Sequence, residues 1–170
     1  SGPRDPYLVT SHTVTDKALA WIAANAGRKW FLWAHYLDPH GRYVAHPDKS
    51  FGNTEEDIYD GELYFTDKHI GRLLDSMRKN PGLWANTLIV VTSDHGDGFN
   101  EHGIINHAVA LYREIISVPL IIRVPELSPR ISDQLATPLD VLPTIAELVG
   151  APIGRRAEGM SLVGPIFYGK

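Results

Sequence analysis

An α/β sandwich with a largely parallel sheet is the fold class predicted for this 170-residue chain. Three observations predict it: short apolar runs that read as strands, helical patterns between them, and polar turns where the apolar runs stop. The first helix opens at Thr15-Asp16, keeps apolar positions at Leu19, Ile22 and Ala23, and stops at Gly27. Residues 30–36, with Trp30, Phe31, Trp33 and Tyr36, are too few for a helix and rich in aromatics, which reads as a buried strand. The turn Asp38-Pro39-His40-Gly41 closes it, and residues 44–52 read as a polar loop. A long helix runs from Thr54 to about Lys79, its apolar face marked by Ile58, Leu63, Ile70, Leu73, Leu74 and Met77. Asp57, Asp60 and Glu62 on that helix read as its wet face. Asn80-Pro81-Gly82 ends it. Residues 88–91 form the next strand, apolar on both faces as expected of a strand with neighbours on each side. A polar loop to about Asn106, a strand at residues 118–124 and a helix from Pro138 to Val149, ended by Gly150, complete the chain.

With 44% hydrophobic and 21% charged residues, the chain can bury roughly two thirds of its unfolded surface in one core. A single domain is expected: a core over 13–150, a linker remnant over 1–12 and a C-terminal extension over 151–170. The formal charge of -4, with scattered Lys and Arg, supplies no basic stripe and argues against nucleic acid as a partner. The absence of cysteine excludes a disulfide framework, a thiolate nucleophile and a Cys-based zinc site. No apolar run approaches the roughly 20 residues of a transmembrane helix, and Ser1-Gly2-Pro3-Arg4 lacks a signal-peptide core, so the chain as given is expected to be soluble.

Most of the eight histidines fall where strands are predicted to end: His35 and His40 after the first, His95, His102 and His107 after the second. Loops at the carboxyl ends of parallel strands are where α/β proteins place ligands. His35 on its own reads as a core or turn histidine sooner than as a ligand, and His40 equally as a ligand-facing or a plain loop residue. Asp94 and His95 can face one ion only if the chain turns there, which Gly96 and Gly98 permit. Aspartate favours hard cations and imidazole favours zinc or manganese, so the pair leaves the metal open. Glu101-His102-Gly103 reads as solvated loop.

Three ordered blocks carry a resemblance. His35-Tyr36-Leu37-Asp38-Pro39-His40-Gly41-Arg42-Tyr43, then Tyr59-Asp60-Gly61-Glu62 with Asp67 and Ile70-Gly71, then Thr92-Ser93-Asp94-His95-Gly96 resemble the sulfatase family of the alkaline phosphatase superfamily. The likeness continues through His107, Leu111-Tyr112-Arg113-Glu114, residues 118–122 and Asp140-Val141-Leu142-Pro143-Thr144-Ile145. The resemblance implies an alkaline phosphatase-like, partial three-layer sandwich, with a mostly parallel mixed sheet and helices on both faces. It places a divalent metal on Asp94 and His95, usually calcium, with manganese and zinc as alternatives. It makes His40 a sulfate contact and His107 the residue that binds the ester and helps protonate the leaving oxygen, with His35 beside them as a substrate-binding candidate.

The departures from the family pattern are equally informative. The paired aspartates and the C/S-x-P-x-R block whose first residue becomes a formylglycine nucleophile have no counterpart in these residues. Arg42 stands where the family often has proline, and Asp97 where it often has glutamate. The chain therefore reads as the second half of a sulfatase-like catalytic domain, inactive alone, whose partners are a sulfate ester and the missing N-terminal half. An exposed sheet edge would invite oligomers. Two rivals stay open: a phosphodiesterase, phosphonate hydrolase or phosphoglycerol or phosphoethanolamine transferase of the same superfamily, and a non-catalytic sulfatase-like scaffold. Export is the localisation that the resemblance favours.

Overall fold

A computed structural model describes residues 9–107 and 110–168. They form two compact units, one from the described residues up to Thr87 with those of Asp97–Ala110, the other from Leu88–Gly96 with those from Leu111 onward.

The first unit is helical. Helix α1 (Ser11–Ala24) begins four residues before the expected start, because its cap is not local. The buried carboxylate of Asp38 accepts hydrogen bonds from the amides of Thr10 at 2.6 Å and Ser11 at 2.7 Å and from both hydroxyls. These are orphan donors that a helix start must satisfy, and a carboxylate there also complements the helix dipole. Ser11 and His12, expected in the linker, are thus the first turn of a helix. Ser11, Thr15, Ala18 and Ile22 form the buried stripe of α1. The small hydroxyls let α2 approach closely: Thr15 Oγ1 donates to the His69 carbonyl at 2.9 Å, and Ser11 Oγ lies 3.2 Å from Thr66 Oγ1.

Helix α2 (Glu55–Arg78) opens with a capping box in which Thr54 and Asp57 exchange side-chain-to-backbone bonds. Its buried face is Gly61, Glu62, Thr66, His69, Leu73 and Met77. The expectation for this helix is corrected at two positions: Leu63 is exposed, and Glu62, placed on the wet face, is 1% exposed. Helix α3 (Pro81–Ala85) has Asn80 as its cap and proline in its first turn.

Residues 30–36 run extended but join no ladder among the described residues, so the expected buried strand is not formed. Phe31 and Trp33 are 69% and 77% exposed, while the alternate residues are half-buried. Tyr36 ties the segment to α1 through a 2.9 Å hydrogen bond between its hydroxyl and Thr15 Oγ1.

The second unit holds the sheet. Strand β1 (Ile89–Thr92) pairs with β2 (Leu120–Arg123), with helix α4 (Arg113–Ile116) between them. The α/β class holds, but the pairing is antiparallel, Ile89 opposite Arg123 and Thr92 opposite Leu120. The expected parallel neighbours are not among the described strands, which leaves β1 half-buried rather than buried on both faces. A 3-10 turn (Pro138–Asp140) leads into α5 (Val141–Val149), which ends at Gly150 in the left-handed conformation. Residues of the expected C-terminal extension return to this helix: Met160 N donates to Asp140 Oδ1 at 2.7 Å and Leu162 N to Thr144 Oγ1 at 2.8 Å. Gly159, at φ +85°, passes so close to the Leu139 carbonyl that a Cβ there would collide with it. Helix α6 (Val163–Tyr168) follows. No helix of the described residues is long and apolar enough to cross a membrane.

Candidate functional site

In the first unit, a tight hairpin carries the chain from Asp97 to His107. Phe99 pairs with Ile105, Asn106 N donates to the Gly98 carbonyl at 3.0 Å, and Asn100 N to the Ile104 carbonyl at 3.0 Å. Asn100, Gly103 and Asn106 all adopt positive φ, the conformation that asparagine and glycine accept most readily. The fold-back sets His107 Nδ1 at 2.7 Å from Asp97 Oδ1.

Asp97 is the hub of this site. Its side chain is 4% exposed, and its second oxygen accepts from the Tyr43 hydroxyl at 2.7 Å. A carboxylate can only accept, so the His107 proton facing it sits on Nδ1 and Nε2 becomes the basic ring atom. Burial, and then the hydrogen bond and charge of Asp97, push the Tyr43 hydroxyl far above the ordinary tyrosine pKa, so it remains a donor. Burial, followed by the same negative charge, also raises Tyr59. Tyr43, Tyr59 and Phe99 pack on one another, with ring centroids 5.1 to 6.1 Å apart.

His40 joins this group. Its ring centroid lies 5.5 Å from that of His107, at 59°. The turn that presents it is anchored from beneath by Asp38 on the α1 start, and His40 N donates to the Leu37 carbonyl at 3.0 Å. Arg42, two residues on, has φ +67°, which a proline ring fixed near −65° cannot adopt. His35 is exposed on the extended segment, and no hydrogen bond or ring contact joins it to His40 or His107.

Asp94 and His95 lie in the second unit, just beyond β1. The chain does turn there: Ser93 Oγ donates to the His95 carbonyl at 2.7 Å and His95 N to Asp94 Oδ1 at 3.1 Å. His95 Nε2 comes to 3.7 Å from Asp94 Oδ2. His95 Nδ1 donates to the Gly96 carbonyl at 2.9 Å, which fixes the tautomer and puts the lone pair on Nε2, beside the carboxylate. A carboxylate oxygen and an imidazole nitrogen at that separation suit two positions around one divalent ion. Gly96 itself does not have positive φ. Glycine is required there by close approach instead: its amide donates to the Ile115 carbonyl at 2.7 Å, and a Cβ would run into the Glu114 carbonyl oxygen.

Asp97, Tyr43 and Tyr59 are the site residues that sequence reasoning missed as participants. Asp97 lies between Gly96 and Gly98, and its ten-residue spacing from His107, bridged by asparagines and glycines that favour a hairpin, is the available signal.

The chain as a whole is similar to known proteins. The family described as Sulfatase matches residues 3–151. Among curated proteins, the Delta 4,5-hexuronate-2-O-sulfatase of Bacteroides thetaiotaomicron is 30% identical over 160 residues, covering 92% of this chain and 28% of the relative. The chain spans under a third of the length of such relatives. Among solved structures, the phosphonate monoester hydrolase SpPMH from Silicibacter pomeroyi superposes with TM-score 0.72 at 24% identity, over 92% of this chain and 41% of its own. BT4656, solved in complex with its substrate D-glucosamine-2-N,6-O-disulfate, superposes with TM-score 0.58 at 32% identity, over 66% of this chain and 22% of its own.

Proposed function

This chain belongs to the sulfatase family, and from that membership we propose that it is part of a metal-dependent sulfuric ester hydrolase, contributing ester-binding histidines and part of a metal site. The observation that carries the reading is the buried Asp97 holding His107 in a single tautomer beside His40. In this reading His107 enters the step with a second proton on Nε2 and passes it to the departing alcohol oxygen as the ester bond breaks, keeping the Nδ1 proton on the Asp97 side. Asp97 fixes the direction of that ring by accepting its Nδ1 proton, and the Tyr43 hydroxyl holds Asp97 in place. His40 donates to a non-bridging sulfate oxygen, and His35 remains a weaker substrate-binding candidate. Asp94 and His95 would hold a divalent metal, calcium first, which when bound supplies positive charge.

The formylglycine nucleophile expected of the family, and the remaining metal ligands, belong in this proposal to sequence outside these residues. A sulfate ester is the proposed substrate, and the disulfated glucosamine bound by BT4656 makes sugar sulfates the first class to try. The likeness to a phosphonate monoester hydrolase supports a second reading, in which the same residues serve a phosphate or phosphonate ester. The test is a steady-state comparison, on the full-length protein that carries this chain, of an aryl sulfate, sulfated monosaccharides, a phosphate diester and a phosphonate monoester. The highest kcat/KM on a sulfate is the expected result. Preference for the phosphonate would move the assignment to the second reading, and hydrolysis of none would overturn both.

A further inference from the structure

Glu62 is a carboxylate buried almost completely in the first unit, and burying such a group is costly unless it is fully used. Both oxygens are used on the same loop. Oε1 accepts from the Val44 amide at 2.7 Å, and Oε2 lies 2.6 Å from His46 Nε2. One turn to either side, α2 makes two further contacts with that loop. The Tyr59 ring meets Tyr43 with centroids 5.2 Å apart, and Phe65 stacks on His46 at 4.0 Å and 7°. Residues three apart on one helix face thus hold positions 43, 44 and 46 in succession. Tyr43, at one end of that row and next to Val44, is the one that donates to Asp97.

We infer that Glu62 is a positioning residue for the site, its buried carboxylate fixing the Tyr43–His46 loop on α2 so that Tyr43 in turn holds Asp97 against His107. An apolar side chain of similar volume would fill the space between α2 and the loop without the desolvation cost. It would not accept the Val44 amide, which would leave the loop to move and the Asp97 carboxylate with one oxygen less restrained. Burial is the main influence raising the Glu62 pKa, and the His46 and Val44 contacts oppose it. The inference rests on the ester-hydrolase reading for what the site does, but not for how it is held.

The test uses the full-length protein with an aryl sulfate as the probe. Glu62→Leu is expected to lower kcat about tenfold or more with a smaller change in KM, the loss that a displaced catalytic group produces. Glu62→Gln, whose amide oxygen can still accept from Val44, is expected to recover most of it. Glu62→Leu combined with Tyr43→Phe is expected to lose no more than the larger single effect, because both act through Asp97. Full turnover in Glu62→Leu, or losses that multiply in the double variant, would overturn the inference. If Glu62→Leu does not fold, His46→Ala, which unseats one carboxylate oxygen and the Phe65 stack, is expected to show a milder kcat loss, and unchanged turnover there would overturn it equally. The His107 Nδ1–H proton resonance separates this from the functional reading. If no ester is hydrolysed, that reading fails, yet Glu62→Gln is still expected to keep the signal while Glu62→Leu or His46→Ala shifts or broadens it. A signal that all three leave unmoved would overturn the positioning role.

Discussion

Asp97 and His107 face each other across a ten-residue hairpin, with the carboxylate oxygen 2.7 Å from Nδ1 and the second oxygen occupied by Tyr43. Because the carboxylate is buried and doubly engaged, it acts on the imidazole as a fixed charge rather than a mobile one, which is the condition for setting a tautomer.

Replacing His107 with alanine in the full-length protein is expected to lower kcat by about 10²-fold or more on an ester with a poor leaving group. The loss should shrink on an aryl ester whose leaving group needs little protonation. Equal losses across a leaving-group series would remove His107 from the proton-donor role. Asp97→Asn, which preserves shape but allows the wrong tautomer, should lower kcat in the same series with KM changed far less.

Asp94→Ala and His95→Ala are each expected to reduce the divalent metal retained by the purified full-length protein, read by elemental analysis. Treatment with a chelator should abolish turnover and calcium should restore it. Full metal content in both variants would show that the ion is held elsewhere.

Gly96→Ala should destabilise the protein by about 1–3 kcal/mol, the usual cost of forcing an atom into occupied space. The added methyl meets the Glu114 carbonyl oxygen, a backbone atom that cannot swing aside. Urea unfolding midpoints of the two proteins check this, and matching midpoints would mean that the close approach at Ile115 relaxes without cost.

The pH dependence of stability should carry a component from Asp140. The Met160 amide first, and then the Thr137 amide, hold its carboxyl below the ordinary aspartate pKa, with desolvation opposing them and the Thr137 hydroxyl assisting. A depressed folded-state pKa means that the unfolded chain binds the proton first as pH falls. The contribution is therefore complete above the unfolded value and is lost as pH drops through the folded one. Urea midpoints of wild type and Asp140→Asn should differ at neutral pH and converge as the pH falls below the ordinary aspartate pKa and through the lowered folded-state one. Parallel curves would contradict the assignment.

What could be read from the chain alone follows how far each signal reaches along it. The helix start at Thr54, the stop at Gly150 and the turn around His40 are local, and each lies where the sequence placed it. The cap of α1 was invisible because its carboxylate, Asp38, is 28 residues from Thr10. Glu62 was misassigned for a related reason: a charged residue on a helix is usually solvated, and only the loop at Val44 and His46 reveals that this one is not. Residues 30–36 have the composition of a buried strand, but composition does not supply a hydrogen-bonding neighbour, and Phe31 and Trp33 remain exposed. At the site, the resemblance singled out His40 and His107, which the structure brings together. It singled out Asp94 and His95 as a pair, and they converge. The carboxylate that organises His107 required the hairpin to be seen.

The seven exposed residues from Pro47 to Asn53 lie between two independent anchors, the His46–Glu62 pair and the Thr54–Asp57 capping box. Extra residues inserted there would lengthen a segment whose ends are already fixed, and each doubling of its length adds only about 0.6 kcal/mol of closure entropy. Relatives can therefore vary this stretch freely in length, adding a turn or a small lobe, without moving Tyr43 or the carboxylate it holds.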